Sequence, residues 1–96
     1  MNCNVLNRVY VMVCNGCQKL YIGQSSNFRL RVNLHRDHIS HNTGLNVSRH
    51  IAECAKDRTT KFKIMPFYKV TIDSKQEREN REKEFIQELK PELNRL

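Results

Sequence analysis

Four side chains stand at spacings that suit a metal ion. Cys14 and Cys17 form a C-x2-C pair, and His50 and Cys54 lie four apart in a segment that reads as helix, so both face one way. Zinc favours tetrahedral sets of sulfur and nitrogen, and these two spacings let each pair chelate. Four protein ligands leave no open position, so the zinc would be structural. The plainer reading makes Cys14 and Cys54 buried core cysteines and His50 a surface residue. Cys3 is unplaced; it could replace one ligand, as could His38 or His41. A redox role fits less well, because nothing in the chain resembles the βαβ pattern around a thioredoxin-type thiol pair.

A second set of residues sits where polar groups are costly. The helical stretch from about Asn27 to His38 carries two apolar lines, one of Phe28, Val32 and Ile39, the other of Leu30 and Leu34. Arg31, His35 and His38 fall between those lines, whereas a solvated basic face would lie opposite them. Snorkelling is the simpler account of Arg31, its stem on the core and its head in water. Near the C-terminus, Glu82 lies on the stripe formed by Phe85, Ile86 and Leu89. A carboxylate there is unfavourable unless it is paired or binds a metal. An ion pair with Arg78 or Arg81 would satisfy it equally well. Glu77, Glu84 and Glu88 read as an ordinary solvated face.

These residues need elements to hold them. Residues 8–13 and 19–23 read as strands, joined by a turn at Asn15-Gly16-Cys17. Alternation puts Tyr10, Met12 and Cys14 on one face of the hairpin, and would bring Tyr10, Lys19 and Tyr21 onto a common face. Helices follow, from near Asn27 to about His38 and over 46–56. A third strand spans 61–70, where Pro66 suggests an edge position or a bulge. A last helix over 74–90 begins at Ser74 and is closed by Pro91. The expected fold is a small α+β domain: a three-stranded antiparallel sheet flanked by helices, order β-β-α-α-β-α, carrying a structural zinc site. All 96 residues are expected to form one domain. A chain this short buries little surface, so a metal staple would help it.

Composition narrows the partners. The formal charge is +7, which favours nucleic acid as partner, since phosphate binding scales with the Lys and Arg presented. No apolar run approaches the roughly 18 residues of a membrane span. Met1-Asn2-Cys3-Asn4 lacks the apolar stretch of a signal peptide, so an intracellular protein or a piece of one is expected.

Val9-Tyr10-Val11 and, beyond the thiol pair, Tyr21-Ile22-Gly23 resemble the paired motif of the GIY-YIG nucleases, with Arg8 and Val9 in place of the usual Gly-Ile. "YIGQSSNFRLRVNLH" is similar to the family's passage from the second triplet into the first helix, and "RENREKEFIQELKPELN" to its closing region. Matched residue by residue, the resemblance implies a catalytic set of Tyr10, Lys19, Tyr21, Arg31, His35, Glu82 and Asn94. It implies DNA phosphodiester hydrolysis with one Mg²⁺ or Mn²⁺ at Glu82, Tyr10 as general base beside a cationic Lys19, and Arg31 on the phosphate. Cysteines between the triplets resemble the endonuclease domain of Penelope-like retroelements, as do "FKIMPFYKV" and "LKPELN". That branch implies other domains in a larger polyprotein, a role in mobile-element insertion, and a nuclear location if the host is a eukaryote. The competing reading is a catalytically inactive, zinc-stapled DNA-binding module. Target preference and oligomeric state are not legible.

Overall fold

A computed structural model describes residues 6–71 and 74–96. The order is β1 (Leu6–Cys14), β2 (Leu20–Asn27), α1 (Phe28–His41), α2 (Asn46–Cys54), β3 (Phe62–Lys69) and α3 (Lys75–Leu89). A 3₁₀ turn over Glu92–Arg95 follows. The strands form one antiparallel sheet in the order β2-β1-β3, which makes β1 central. The expected α+β class and element order therefore hold. So does the reading of Pro66: β3 is an edge strand, and its register slips between Val9 and Tyr10, where Pro66 sits opposite Tyr10.

The pleat of β1 feeds two cores. Met12 and Cys14 point to one side and pack with Ile39 of α1, Val47 and Ile51 of α2, and Leu93. Val9 points to the other and packs with Ile22 and Val70 beneath Phe85 and Ile86 of α3. The sheet is thus sandwiched, with α1 and α2 on one face and α3 on the other.

Local chemistry sets the helix ends. Asn27 caps α1 by accepting from the Leu30 N–H at 3.2 Å, and Ser74 caps α3 by accepting from the Glu77 N–H at 3.3 Å. Asn42 and Lys90 close the two helices in the left-handed conformation, and Pro91 prevents α3 from continuing. Gln24-Ser25-Ser26 extend β2 beyond the strand read over 19–23, and α1 runs a turn longer than the sequence suggested.

The second apolar line of α1 is not core. Leu30 is 65% exposed and Leu34 43%. Arg31 therefore lies at the border of the buried face rather than inside it. Leu89, placed by sequence on the α3 stripe, is also exposed, while Phe85 and Ile86 pack as expected.

The hairpin turn departs from the usual Asn-Gly geometry. The residue with positive φ is Gln18 (64°), one of four non-glycine positions of this kind among the described residues. Gln18 N–H donates to the Cys14 carbonyl at 2.7 Å, and Cys14 N–H donates to the Lys19 carbonyl at 3.1 Å. Gly16 serves proximity instead: a Cβ there would run into the backbone carbonyl and sulfur of Cys54. The glycine lets the turn approach the end of α2.

Candidate active site and metal clip

Tyr10 and Gly23 are cross-strand partners. The Tyr10 ring lies directly over Gly23, where any Cβ would strike its hydroxyl end. Its hydroxyl is then 2.8 Å from Nε2 of His35, which α1 lowers onto the sheet. Phe28 packs against the Tyr10 ring at 5.8 Å between centroids, and Tyr21 meets His35 edge-on at 6.2 Å. Tyr10 and His35 are both about 1% exposed. The sequence brought Tyr10, Tyr21 and His35 together correctly.

The charges around this cluster come from two helices. Arg31 acts on Tyr10, Tyr21, His35 and Glu82, and Glu82 acts on both tyrosines. Burial raises the Tyr10 phenol above its usual value; Tyr21 adds to this, and Arg31 opposes it. Burial likewise raises Tyr21. His35 is pushed down to about 4, first by burial, then by Arg31 and His38, so it is neutral at pH 7. Its Nδ1 is buried without a hydrogen-bond partner among the described residues.

Lys19 does not supply the cation expected beside Tyr10. It lies just before β2, so strand alternation does not govern it, and it pairs with Glu92 at 3.5 Å on the surface. Arg31 is the cation that acts on Tyr10.

The free edge of β2 holds the other two site residues. An edge strand leaves alternate N–H groups unpaired. Ile22 N–H donates to Asn94 Oδ1 at 2.7 Å, and Asn94 Nδ2 returns a bond to the Ile22 carbonyl at 2.8 Å. Two residues on, the Gln24 backbone lies close enough to the Glu82 carboxylate to favour its charged form. Glu82 is half-buried, and that burial raises its pKa, with Glu79 adding and Arg31 opposing. Arg81 pairs with Glu77 and Glu84, and Arg78 donates to Gln24 Oε1 at 3.0 Å and Asn7 Oδ1 at 2.9 Å. Gln24 was not singled out by sequence; Gly23 stood out only as the last residue of the second triplet, and its place opposite Tyr10 in the hairpin is what gives it a role.

At the other end of the hairpin, Cys14, Cys17, His50 and Cys54 converge, their ligating atoms all within 4.8 Å of one another. Among the described residues this is the one such group of three or more ligating side chains. Tetrahedral zinc with thiolates at ~2.3 Å needs ligand–ligand edges of roughly 3.8 Å, so the set fits. Cys17 Sγ is already 3.3 Å from His50 Nε2. Burial opposes ionisation of Cys17, but hydrogen bonds from His50, the Lys19 backbone and the two other thiols bring it down to about 7. Cys54, although an exposed residue, is pushed up to about 11 by desolvation of its sulfur and by the neighbouring thiols. Three thiols this close cannot all ionise without a cation among them. His41 instead faces Asp37, and His38 packs on Gly44; Cys3 lies outside the described residues.

The model of the GIY-YIG catalytic domain matches residues 7–95. The chain belongs to that family, and is an endonuclease of the GIY-YIG class. In three dimensions it is similar to the catalytic domain of the homing endonuclease I-TevI, with a TM-score of 0.73 at 16% sequence identity over 92% of each chain. No curated protein matches it by sequence. No helix among the described residues is long and apolar enough to cross a membrane.

Proposed function

We propose that the domain hydrolyses one DNA phosphodiester per binding event, nicking a single strand with the help of Mg²⁺ or Mn²⁺ held by Glu82. The observation that carries this reading is the convergence of Tyr10, Tyr21, His35, Arg31 and Glu82 on one sheet edge. Glu82 suits a hard divalent cation: the Gln24 backbone favours its charged form, and the burial that disfavours its charge is reversed by a cation. Such an ion, when bound, supplies positive charge to the phosphate and to the leaving oxygen.

The chain's own residues do the rest. Arg31 binds the phosphate through its planar fork and offsets charge that builds in the transition state. Tyr10 is the base, acting as a relay. Its raised pKa excludes a standing phenolate at neutral pH. As Oη takes a proton from the attacking water, it passes its own to His35 Nε2 across the 2.8 Å contact. Bound phosphate offsets Arg31, which otherwise disfavours a protonated His35. Tyr21 orders the water or a phosphate oxygen. Asn94 supports the site, because its amide is spent on Ile22. Lys19 is left outside the reaction, at the surface.

Zinc at Cys14, Cys17, His50 and Cys54 is structural in this reading, bracing the hairpin that carries both tyrosines. The cysteines between the triplets further support a place in a mobile element such as a Penelope-like retroelement. There, other domains would supply targeting, and the setting would be intracellular, nuclear in a eukaryotic host. The test is a supercoiled-plasmid assay with Mg²⁺, with Mn²⁺, and with no added divalent ion. Open circles formed only with metal support the proposal. Linear product from the first turnover removes single-strand nicking, and cleavage without metal removes the cation.

A further inference from the structure

Charge is divided unevenly along this chain. Residues 6–71 carry 11 Lys and Arg against three acids, while residues 74–96 carry six of each. The excess therefore belongs to the sheet, α1, α2 and their loops, and α3 is balanced. Within the basic part, two neighbouring recesses of about 390 and 370 Å³ share Thr59 and Thr60 of the α2–β3 loop. Arg36 of α1 lines the first; Arg58, Lys63 and Gln18 line the second. No acid lines either recess, and Asp37, the neighbour of Arg36 in sequence, is paired with His41 at 3.3 Å.

The loop between the recesses is held, not loose. Asn15 Nδ2 donates to the Thr60 carbonyl at 2.7 Å, and Asn15 N–H donates to the Lys61 carbonyl at 3.0 Å. Lys61 turns its ammonium inward onto the carbonyls of Lys56 at 3.0 Å and Arg58 at 3.3 Å. One end of the loop thus leans on the turn between Cys14 and Cys17, and the other follows directly from Cys54. The exposed donors Arg58, Thr59, Thr60 and Lys63 are presented by a fixed backbone, which reduces the ordering cost of binding.

We propose that this shelf is a second DNA-backbone contact, gripping phosphates of the strand beyond the one held at Arg31. It rests on the nuclease reading for its ligand and adds the surface that aligns the duplex. Geometry supports the occupant. Arg36 follows Arg31 on the same helix by five residues, about 7.5 Å along its axis and about 140° around it. A strand that leaves Arg31 therefore crosses α1 to reach the shelf, which places the second contact several phosphates away rather than at the next one. Cationic and hydroxyl donors without base-reading geometry suit phosphate oxygens, which position DNA without specifying sequence.

The test measures binding of a labelled 20-base-pair duplex between 50 and 200 mM salt, without added divalent ion, beside plasmid-nicking kinetics. Arg58→Gln with Lys63→Gln should weaken binding and make the slope of log K against log salt shallower by about two. KM should rise, with kcat within about twofold of the parent. Lys75→Gln with Lys90→Asn removes the same charge from α3 and should leave the slope near the parent's. Arg58→Lys with Lys63→Arg should retain it. A parental slope and KM in the shelf variant, or an equal loss in the α3 variant, overturns the shelf while the nuclease reading stands. A parent that binds but never nicks removes the nuclease reading, and the slopes still decide the shelf.

Discussion

At one end of the β1–β2 hairpin a tyrosine ring lies over Gly23; at the other, the turn presses Gly16 against Cys54. Both ends use a missing Cβ to make room, at Gly23 for the ring of the neighbouring strand and at Gly16 for the end of α2. What they place in the gap differs. The Tyr10 end is filled by a neutral hydrogen-bonded pair, Tyr10 and His35, with the charges of Arg31 and Glu82 at its border. The Cys54 end holds three thiols and an imidazole that cannot share charge unless a cation joins them. In the proposed reading the first end receives substrate and metal from outside, and the second closes on a metal of its own. A small sandwich with two thin cores gains rigidity at the second end and uses it at the first, since Cys14 and Tyr10 belong to one strand.

The largest effect that would separate the two ends comes from removing the metal of the second. Elemental analysis should find one zinc per chain. Stripping it should lower the melting temperature sharply, because structural-zinc binding is folding free energy. A stoichiometry near zero ends the clip model, and the fold must then rest on its apolar cores alone. Next in size is Arg31→Ala, which should cost a factor of about 10² or more in cleavage rate without shifting the melt. An unchanged rate would return Arg31 to a snorkelling side chain.

Gly23→Ala sharpens the comparison at the catalytic end. Its methyl must displace the Tyr10 ring, so a loss of about 1–3 kcal/mol is expected, with a fall in rate that exceeds any change in zinc content. Denaturant melts and zinc analysis of one preparation check both. A variant as stable and active as the parent would mean that the ring does not need Gly23.

A further effect, confined to acid conditions, is in pH dependence. The depressed pKa of His35, about 4 against an ordinary value near ~6.5, means the unfolded chain binds the extra proton first as pH falls. The contribution is full above about 6.5 and is lost as pH falls through about 4, a swing of about 3 kcal/mol. His35→Gln should flatten the stability profile across that window, read from melts between pH 4 and 7. For kcat/KM in the parent, no step should appear near ~6.5, since His35 of the free enzyme is already neutral there. A step at that pH that disappears in His35→Gln would contradict a buried neutral histidine.

Much of this site was legible because misplaced polarity is visible in a periodic pattern. His35 between apolar positions and Glu82 on an apolar stripe both marked real features, as did the paired spacings of the thiols and His50. Periodicity failed where tertiary contact decides. Leu30 and Leu34 form a helical line that no other element covers, and Leu89 ends the α3 stripe, so all three face solvent. Lys19 lies one residue outside its strand, where alternation carries no information. Asn15-Gly16 signalled a turn, but its glycine answers to Cys54, which is 38 residues away and invisible to any local rule. The anchoring of Glu82 and Asn94 on the β2 edge depends on strand order, which no short motif encodes.

The most direct measurement is single-turnover cleavage of an end-labelled duplex in Mn²⁺ by the parent and by Glu82→Ala, with melting curves of both. The account predicts cleavage by the parent, none by the variant, and melts that coincide. Cleavage by a folded Glu82→Ala at the parental rate would contradict it.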